Sequence, residues 1–188
     1  GKTYPRFGEG DNTILSYSFT AQKNSTLGAD APGTITDDTI EVTVPHGTDV
    51  TSLVAVFVTD STDVTVNDVV QISGETVNDF SSDVLYEVSA DDEVRTYTVK
   101  VSVAPSSEKT ISRFLLNGIE GTVDQSTGII DVSLAPKTSL TSLIASFDAI
   151  CKKVLIGDAE QVSGETANNF TGDVIYTVVA DDNSSRSY

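Results

Sequence analysis

The chain has 188 residues, 28 acidic and 11 basic side chains, a formal net charge of −17 and 38% apolar residues. Its few, scattered Lys and Arg exclude a nucleic-acid partner and disfavour anionic lipid, since a phosphate-bearing surface needs cations to displace its counterions. No apolar run approaches the roughly 20 residues that span a bilayer, and the single cysteine, Cys151, forbids an internal disulfide, so packing must hold the fold.

In chain order, residues 1–12 are polar with Gly and Pro. They read as a tail or a donor segment, with no leader pattern. Ile14-Leu15-Ser16-Tyr17 is the first candidate strand, and a long loop from Ala21 to Gly33 follows. Ile40, Val42 and Val44 then alternate with polar residues. So do Leu53, Ala55 and Phe57, then Val84, Tyr86 and Val88, then Tyr97, Val99, Val101 and Val103. Period two with abundant Val, Ile and Thr predicts half-buried strands. Clusters of Pro, Gly, Asn and Asp separate them, and no stretch carries a 3.6-residue stripe. The Pro105-Ser106-Ser107-Glu108 stretch predicts a short, extended linker.

The pattern then returns. Residues 71–92 reappear at 161–182 without a gap, and about two-thirds of the positions are identical. Thr51-Ser52-Leu53 matches Thr141-Ser142-Leu143, Phe57 matches Phe147, and Ile40-Val42-Val44 matches Ile130-Val132-Leu134. Internal repetition at this spacing predicts two copies of one module. The expected architecture is all-β, two tandem immunoglobulin-like Greek-key β-sandwich domains at 13–104 and 109–188, joined by 105–108. Tyr86 and Tyr176 each precede an inward Val by two residues. That is the place of the corner tyrosine of immunoglobulin strands, although Tyr also simply favours strands.

The residues carry a family resemblance. Thr-Ser-Leu-x-Ala-x-Phe, Gln-x-Ser-Gly-x-Thr-x-Asn-x-Phe and Val-x-Tyr-x-Val-x-Ala-Asp-Asp, with a closing Tyr-Thr-Val strand in the first copy, resemble the DUF5018-type immunoglobulin-like repeats of Bacteroidetes surface proteins. The resemblance implies an extracellular or outer-surface, non-catalytic module with a spacer, adhesive or glycan-associated role. It supplies no catalytic residues.

The second copy lacks most of its last strand. Arg95 to Val103 closes the first copy, whereas the second reaches only Tyr188, the counterpart of Tyr97. An unpaired edge at Val174, Tyr176, Val178 and Tyr188 is therefore expected, and such an edge accepts strands. Donation by another copy, from the tail or from Ile14-Leu15-Ser16-Tyr17, would build a pilus-like filament, because head-to-tail contacts do not close.

Little else promises chemistry. His46 is the only histidine and sits in a Pro-His-Gly turn, so neither a Ser-His-Asp nor a Cys-His arrangement is expected. Asp91-Asp92 and Asp181-Asp182 recur at one turn and are the candidate calcium ligands, although Asp is also ordinary turn chemistry. No other cofactor is expected. Polysaccharide remains a possible partner, but Trp is absent and most rings fall at repeated inward positions. Only Tyr4 and Phe7 look free for stacking.

Overall fold

The structure is a computed structural model that describes residues 12–61, 63–90 and 93–188. Those residues form strands, turns and loops with no helix, in two compact units that divide after Ala104. The donor reading of residues 1–11, with Tyr4 and Phe7, lies outside the described residues, and so do Asp91 and Asp92.

The first unit holds β1 (Ile14–Phe19), β2 (Ala31–Thr36), β3 (Thr39–Val44), β4 (Leu53–Thr59), β5 (Asp63–Val66), β6 (Val69–Val70), β7 (Val77–Asn78), β8 (Val84–Ala90) and β9 (Glu93–Val103). Their order is β6-β5-β8-β9-β3-β2-β1-β4-β7. β1 meets β2 over only two rungs, Ser18 with Pro32 and Phe19 with Ala31. There the hydrogen-bonded surface folds from one layer of the sandwich to the other. Ile40, Val42 and Val44 on β3, Leu53 and Ala55 on β4, Tyr86 and Val88 on β8, and Tyr97 and Val99 on β9 close the core between the layers. These are the alternate positions that a period of two sends to one face.

The second unit holds β10 (Thr110–Leu116), β11 (Ile119–Glu120), β12 (Thr122–Val123), β13 (Ile130–Asp131), β14 (Leu143–Ile150), β15 (Lys153–Ile156), β16 (Ala159–Glu160), β17 (Ala167–Asn168), β18 (Thr177–Val179) and β19 (Ser185–Ser187). The β1–β4 ladder slips by one residue between Ile14 and Ser16, and the β10–β14 ladder slips at the matching place, between Ile111 and Arg113. Aromatic triads repeat too. Tyr17, Phe57 and Tyr86 in one core answer to Phe114, Phe147 and Tyr176 in the other, each with one stacked and two edge-on pairs.

The units differ at their closing strand. β9 runs for eleven residues, antiparallel to β8 and parallel to β3 from Thr39–Thr98 to Val44–Val103. β19 has three residues and pairs only with β18. The expected strand over Ile130, Val132 and Leu134 shrinks to Ile130–Asp131, and β18 begins only at Thr177, past Val174 and Tyr176. A strand needs a neighbour for its backbone groups, and here the neighbour on one side is absent.

Candidate functional site: an open groove in the second unit

The most strongly repeated motif is structural. In the first unit Ser73 Oγ donates to Phe57 O at 2.7 Å and accepts from Phe57 N at 2.8 Å, while Gly74 N donates to Ala55 O. Thr76 Oγ1 accepts from Ile72 N, and Asn78 Nδ2 donates to Gln71 Oε1. In the second unit Ser163, Gly164, Thr166, Asn168 and Gln161 repeat every one of these bonds. The Gln-x-Ser-Gly-x-Thr-x-Asn segment thus clamps the edge of β4 or β14 in place of a neighbouring strand. These polar groups are engaged in that clamp.

Tyr86 is no corner tyrosine. Its hydroxyl meets the Tyr17 hydroxyl at 3.1 Å and the Asn78 amide at 3.3 Å, both side chains. A corner tyrosine would reach the backbone. Burial pushes its hydroxyl pKa up to about 12.

The described candidates for ligand or nucleophile are Asp181, Asp182, Cys151 and His46. Asp182 Oδ1 accepts from Ser184 N at 2.8 Å and from Ser184 Oγ, which holds the carboxyl below its usual range. Asp181 is exposed beside it, and no group of three or more His, Cys, Asp or Glu gathers among the described residues. Cys151 is half-buried, and burial, with Asp181 nearby, raises its thiol pKa. That makes it a poor nucleophile at neutral pH. His46 stands exposed in its turn.

The acceptor-edge residues do come together. Val174 and Tyr176 line a groove of about 710 Å³ with Tyr188, Ile130, Val132, Leu134 and Phe170. Val178 is fully buried in the core of the second unit, pairs with Arg186 in the β18–β19 ladder and does not line the groove. Tyr188 exchanges both backbone hydrogen bonds with Tyr176, at 2.9 Å each, and Arg186 stacks on its ring at 4.7 Å. Arg95 stacks on Tyr97 at the same 4.7 Å, and Tyr97 pairs with Tyr86, so the two tyrosines hold one register. Beyond Tyr188 the ladder stops.

Matching positions differ in exposure between the units. Ile40, Val42, Val44 and Phe80 are 0–2% exposed, whereas their counterparts Ile130, Val132, Leu134 and Phe170 are half-buried. Two further features secure the end of the groove. Gly128, at φ +75°, lies where a Cβ would stand 2.7 Å from Ser187 O, so only glycine lets the last strand pass this close. Gln125 takes the Tyr188 hydroxyl on Oε1 at 2.7 Å, takes Arg186 on its carbonyl, and donates Nε2 to Ile111 O. Sequence reasoning missed both. Gly128 and Gln125 belong to the part of the chain where the repeat register slips.

The expected donor is otherwise engaged. Ile14-Leu15-Ser16-Tyr17 lies in β1, which pairs with β2 and β4 and buries Ile14 and Tyr17 in the core of the first unit. Donating it would strip that core of a central strand.

Fold and groove together define a tandem β-sandwich repeat whose second copy carries an open sheet edge. The chain belongs to the family described as SGBP, N-terminal, whose model matches residues 14–101 and again 111–188. This replaces the DUF5018-type assignment and agrees with a Bacteroidetes surface protein. A solved structure from Bacteroides thetaiotaomicron, provisionally assigned as a glycoside hydrolase, is similar at 25% sequence identity with a TM-score of 0.38. The match covers 69% of this chain and 36% of that one, so the chain spans about a third of its length. No curated protein matches the chain significantly.

Proposed function

We propose that the chain is a non-catalytic, extracellular module of a surface glycan-binding protein of Bacteroidetes. It serves as a structural spacer, while contact with the polysaccharide is made elsewhere. Membership in the SGBP N-terminal family, twice in tandem, supports the setting. The observation that carries the spacer role is the state of the rings: each of the eleven described Tyr and Phe side chains is buried or half-buried. Sugar stacking favours a well-exposed aromatic face, and Phe147, Phe170 and Tyr188, the most open of these rings, are only half-buried. The repeated Gln, Ser, Thr and Asn of the clamp hydrogen-bond within their own unit. No described helix is long and apolar enough to cross a membrane.

Affinity electrophoresis of the 188-residue chain through gels cast with neutral polysaccharides tests the reading. The expected result is unretarded migration, with no reducing ends released on prolonged incubation. Retardation by any of the polysaccharides, or hydrolysis, overturns the spacer role.

A further inference from the structure

The outer face of β1, β4 and β7 in the first unit is apolar where its copy in the second is not. The β1–β4 ladder slips between Ile14 and Ser16, so Leu15 and Ser16 stand together opposite Val58. Alternation sends Val54, Val56 and Val58 to the side away from the core, and Val77 stands beside Val54. Leu15 is 60% exposed, Val58 53% and Val77 54%, while Val54 and Val56 are half-buried. Ser16 and Ser18 are the other outward side chains of β1. No charged group projects from these three strands on this face, in a chain with 28 acidic residues.

The second unit shows that the fold does not require this. Ser112, Ser146, Asp148 and Ala167 take the places of Leu15, Val56, Val58 and Val77, and the ladder forms with the same slip. A packing requirement would act on both copies alike. The apolar side chains of the first copy therefore answer to something outside the sandwich.

Charge indicates what that is. Lys23 lies beside Gly74, its Cε 3.2 Å from where a Cβ on that glycine would stand, and Gly74 N donates to Ala55 O. The cation is thus placed at the level of Ala55, near the start of β4. Asp60 lies just past the other end of β4, where its carboxylate accepts from Thr13 N at 2.7 Å. Leu15 and Val58 lie between these two charges. A face with a cation at one end and an anion at the other complements itself when its strands run antiparallel to those of a second copy. Each Lys23 then meets the Asp60 of the other copy. Elsewhere on a chain of net charge −17, contact between copies sets like charges against one another.

We infer that the outer face of β1 and β4 is a self-association surface. A second copy of the chain packs on it by two-fold symmetry, with Leu15 and Val58 at the centre and the Lys23–Asp60 pairs at the rim. Three strands about 4.8 Å apart and about 20 Å long cover well under the roughly 800 Å² per partner of a stable complex, so the dimer is weak and reversible. The surface is independent of the spacer role, which needs no second copy.

Sedimentation velocity of the 188-residue chain, from micromolar to millimolar concentration, tests the surface. A monomer–dimer equilibrium is expected. Leu15→Ser and Val58→Asp, whose new side chains the second unit already carries at the matching positions, should each raise the dissociation constant at least tenfold, with unfolding curves showing both variants folded. Lys23→Glu should raise it severalfold and Lys23→Arg should not. Leu85→Asp adds the same charge at a 51% exposed position on β8, outside this face, and should leave the equilibrium as it was. A monomer at every concentration overturns the surface. So does a dimer that survives both Leu15→Ser and Val58→Asp, and so does equal weakening by Leu85→Asp and Val58→Asp. A dimer that forms only once residues 1–11 are removed would make that segment the occupant and overturn it too. Retardation by a polysaccharide that Val58→Asp abolishes would make the face a glycan site and overturn the surface and the spacer role together. Dimerisation as expected, with retardation that Val58→Asp leaves intact, would overturn the spacer role alone.

Discussion

The Tyr17 hydroxyl donates to the Tyr86 hydroxyl across 3.1 Å inside the first core, and in the second core Phe114 stands where Tyr17 would. Asn168 commits its amide to Gln161 Oε1 and Thr166 O, so the buried Tyr176 hydroxyl has no partner at hydrogen-bond distance, and the nearby Asn168 amide only tempers the effect of burial on it. Burial pushes the pKa of that hydroxyl up to about 12.

One atom therefore has opposite worth in the two units. A buried hydrogen bond contributes about 1 kcal/mol net, whereas an unpaired buried hydroxyl costs about 1–3 kcal/mol. Tyr17→Phe is expected to destabilise the first unit by about 1 kcal/mol. Tyr176→Phe is expected to leave the second unit unchanged or to stabilise it by up to about 1 kcal/mol. Denaturant melts of the two variants check the contrast.

Ser73 and Ser163 should be equivalent. Each satisfies both the N–H and the C=O of a phenylalanine on a strand edge. Replacement by Ala leaves two backbone groups without partners. Ser73→Ala and Ser163→Ala are each expected to cost about 1–3 kcal/mol in their own unit. A loss under about 0.5 kcal/mol at either site would show that water replaces the clamp there.

Gly128→Ala separates close approach from backbone strain. Gly47 has a similar φ, +78°, with nothing within 4 Å of an added Cβ, whereas at Gly128 that Cβ meets Ser187 O at 2.7 Å. Gly47→Ala should cost about 1 kcal/mol from the left-handed conformation alone. Gly128→Ala should cost more and should also detach β19, seen as faster amide exchange at Tyr188 and Tyr176.

Acid should loosen the same strand. Asp124 Oδ1 accepts from Ser126 Oγ and Ser126 N at 2.7 Å each and from Thr127 N at 3.3 Å, which pulls its pKa down to about 2. A carboxylate whose pKa is lower folded than unfolded stabilises the fold above its unfolded value of about 3.9. That contribution fades as pH falls through the folded value. Asp182, lowered in the same sense by Ser184, anchors the β18–β19 turn. Protection of the Tyr188 amide is therefore expected to fall between about pH 4 and pH 2. Asp124→Asn combined with Asp182→Asn should flatten the pH dependence in that window.

Much of the fold is legible in the residues themselves. Alternation at Ile40-Val42-Val44 and Tyr97-Val99-Val101 marks strands because a pleated chain sends every second side chain inward. Val174, Tyr176 and Tyr188 could be placed at an open edge because the first copy supplies the missing comparison. Val178 could not be excluded from that edge, since only the structure shows it fully buried and paired with Arg186 in the β18–β19 ladder. Nor could Ile14-Leu15-Ser16-Tyr17 be ruled out as a donor, since its alternation is the same whether it pairs within its own unit or with another copy. Gln125 and Gly128 carry no local signal at all. Their roles exist only because residues some sixty positions later return beside them.

By itself the sequence determined two copies of one all-β module, because repetition, period and composition are local properties. The tertiary structure alone decided that the Gln-x-Ser-Gly-x-Thr-x-Asn motif is a strand clamp, that the Tyr176 hydroxyl is buried without a partner at hydrogen-bond distance and that Val174, Tyr176 and Tyr188 line one groove. Each of these depends on which backbone groups find partners across the sheet, and pairing between distant segments is fixed only when the chain packs.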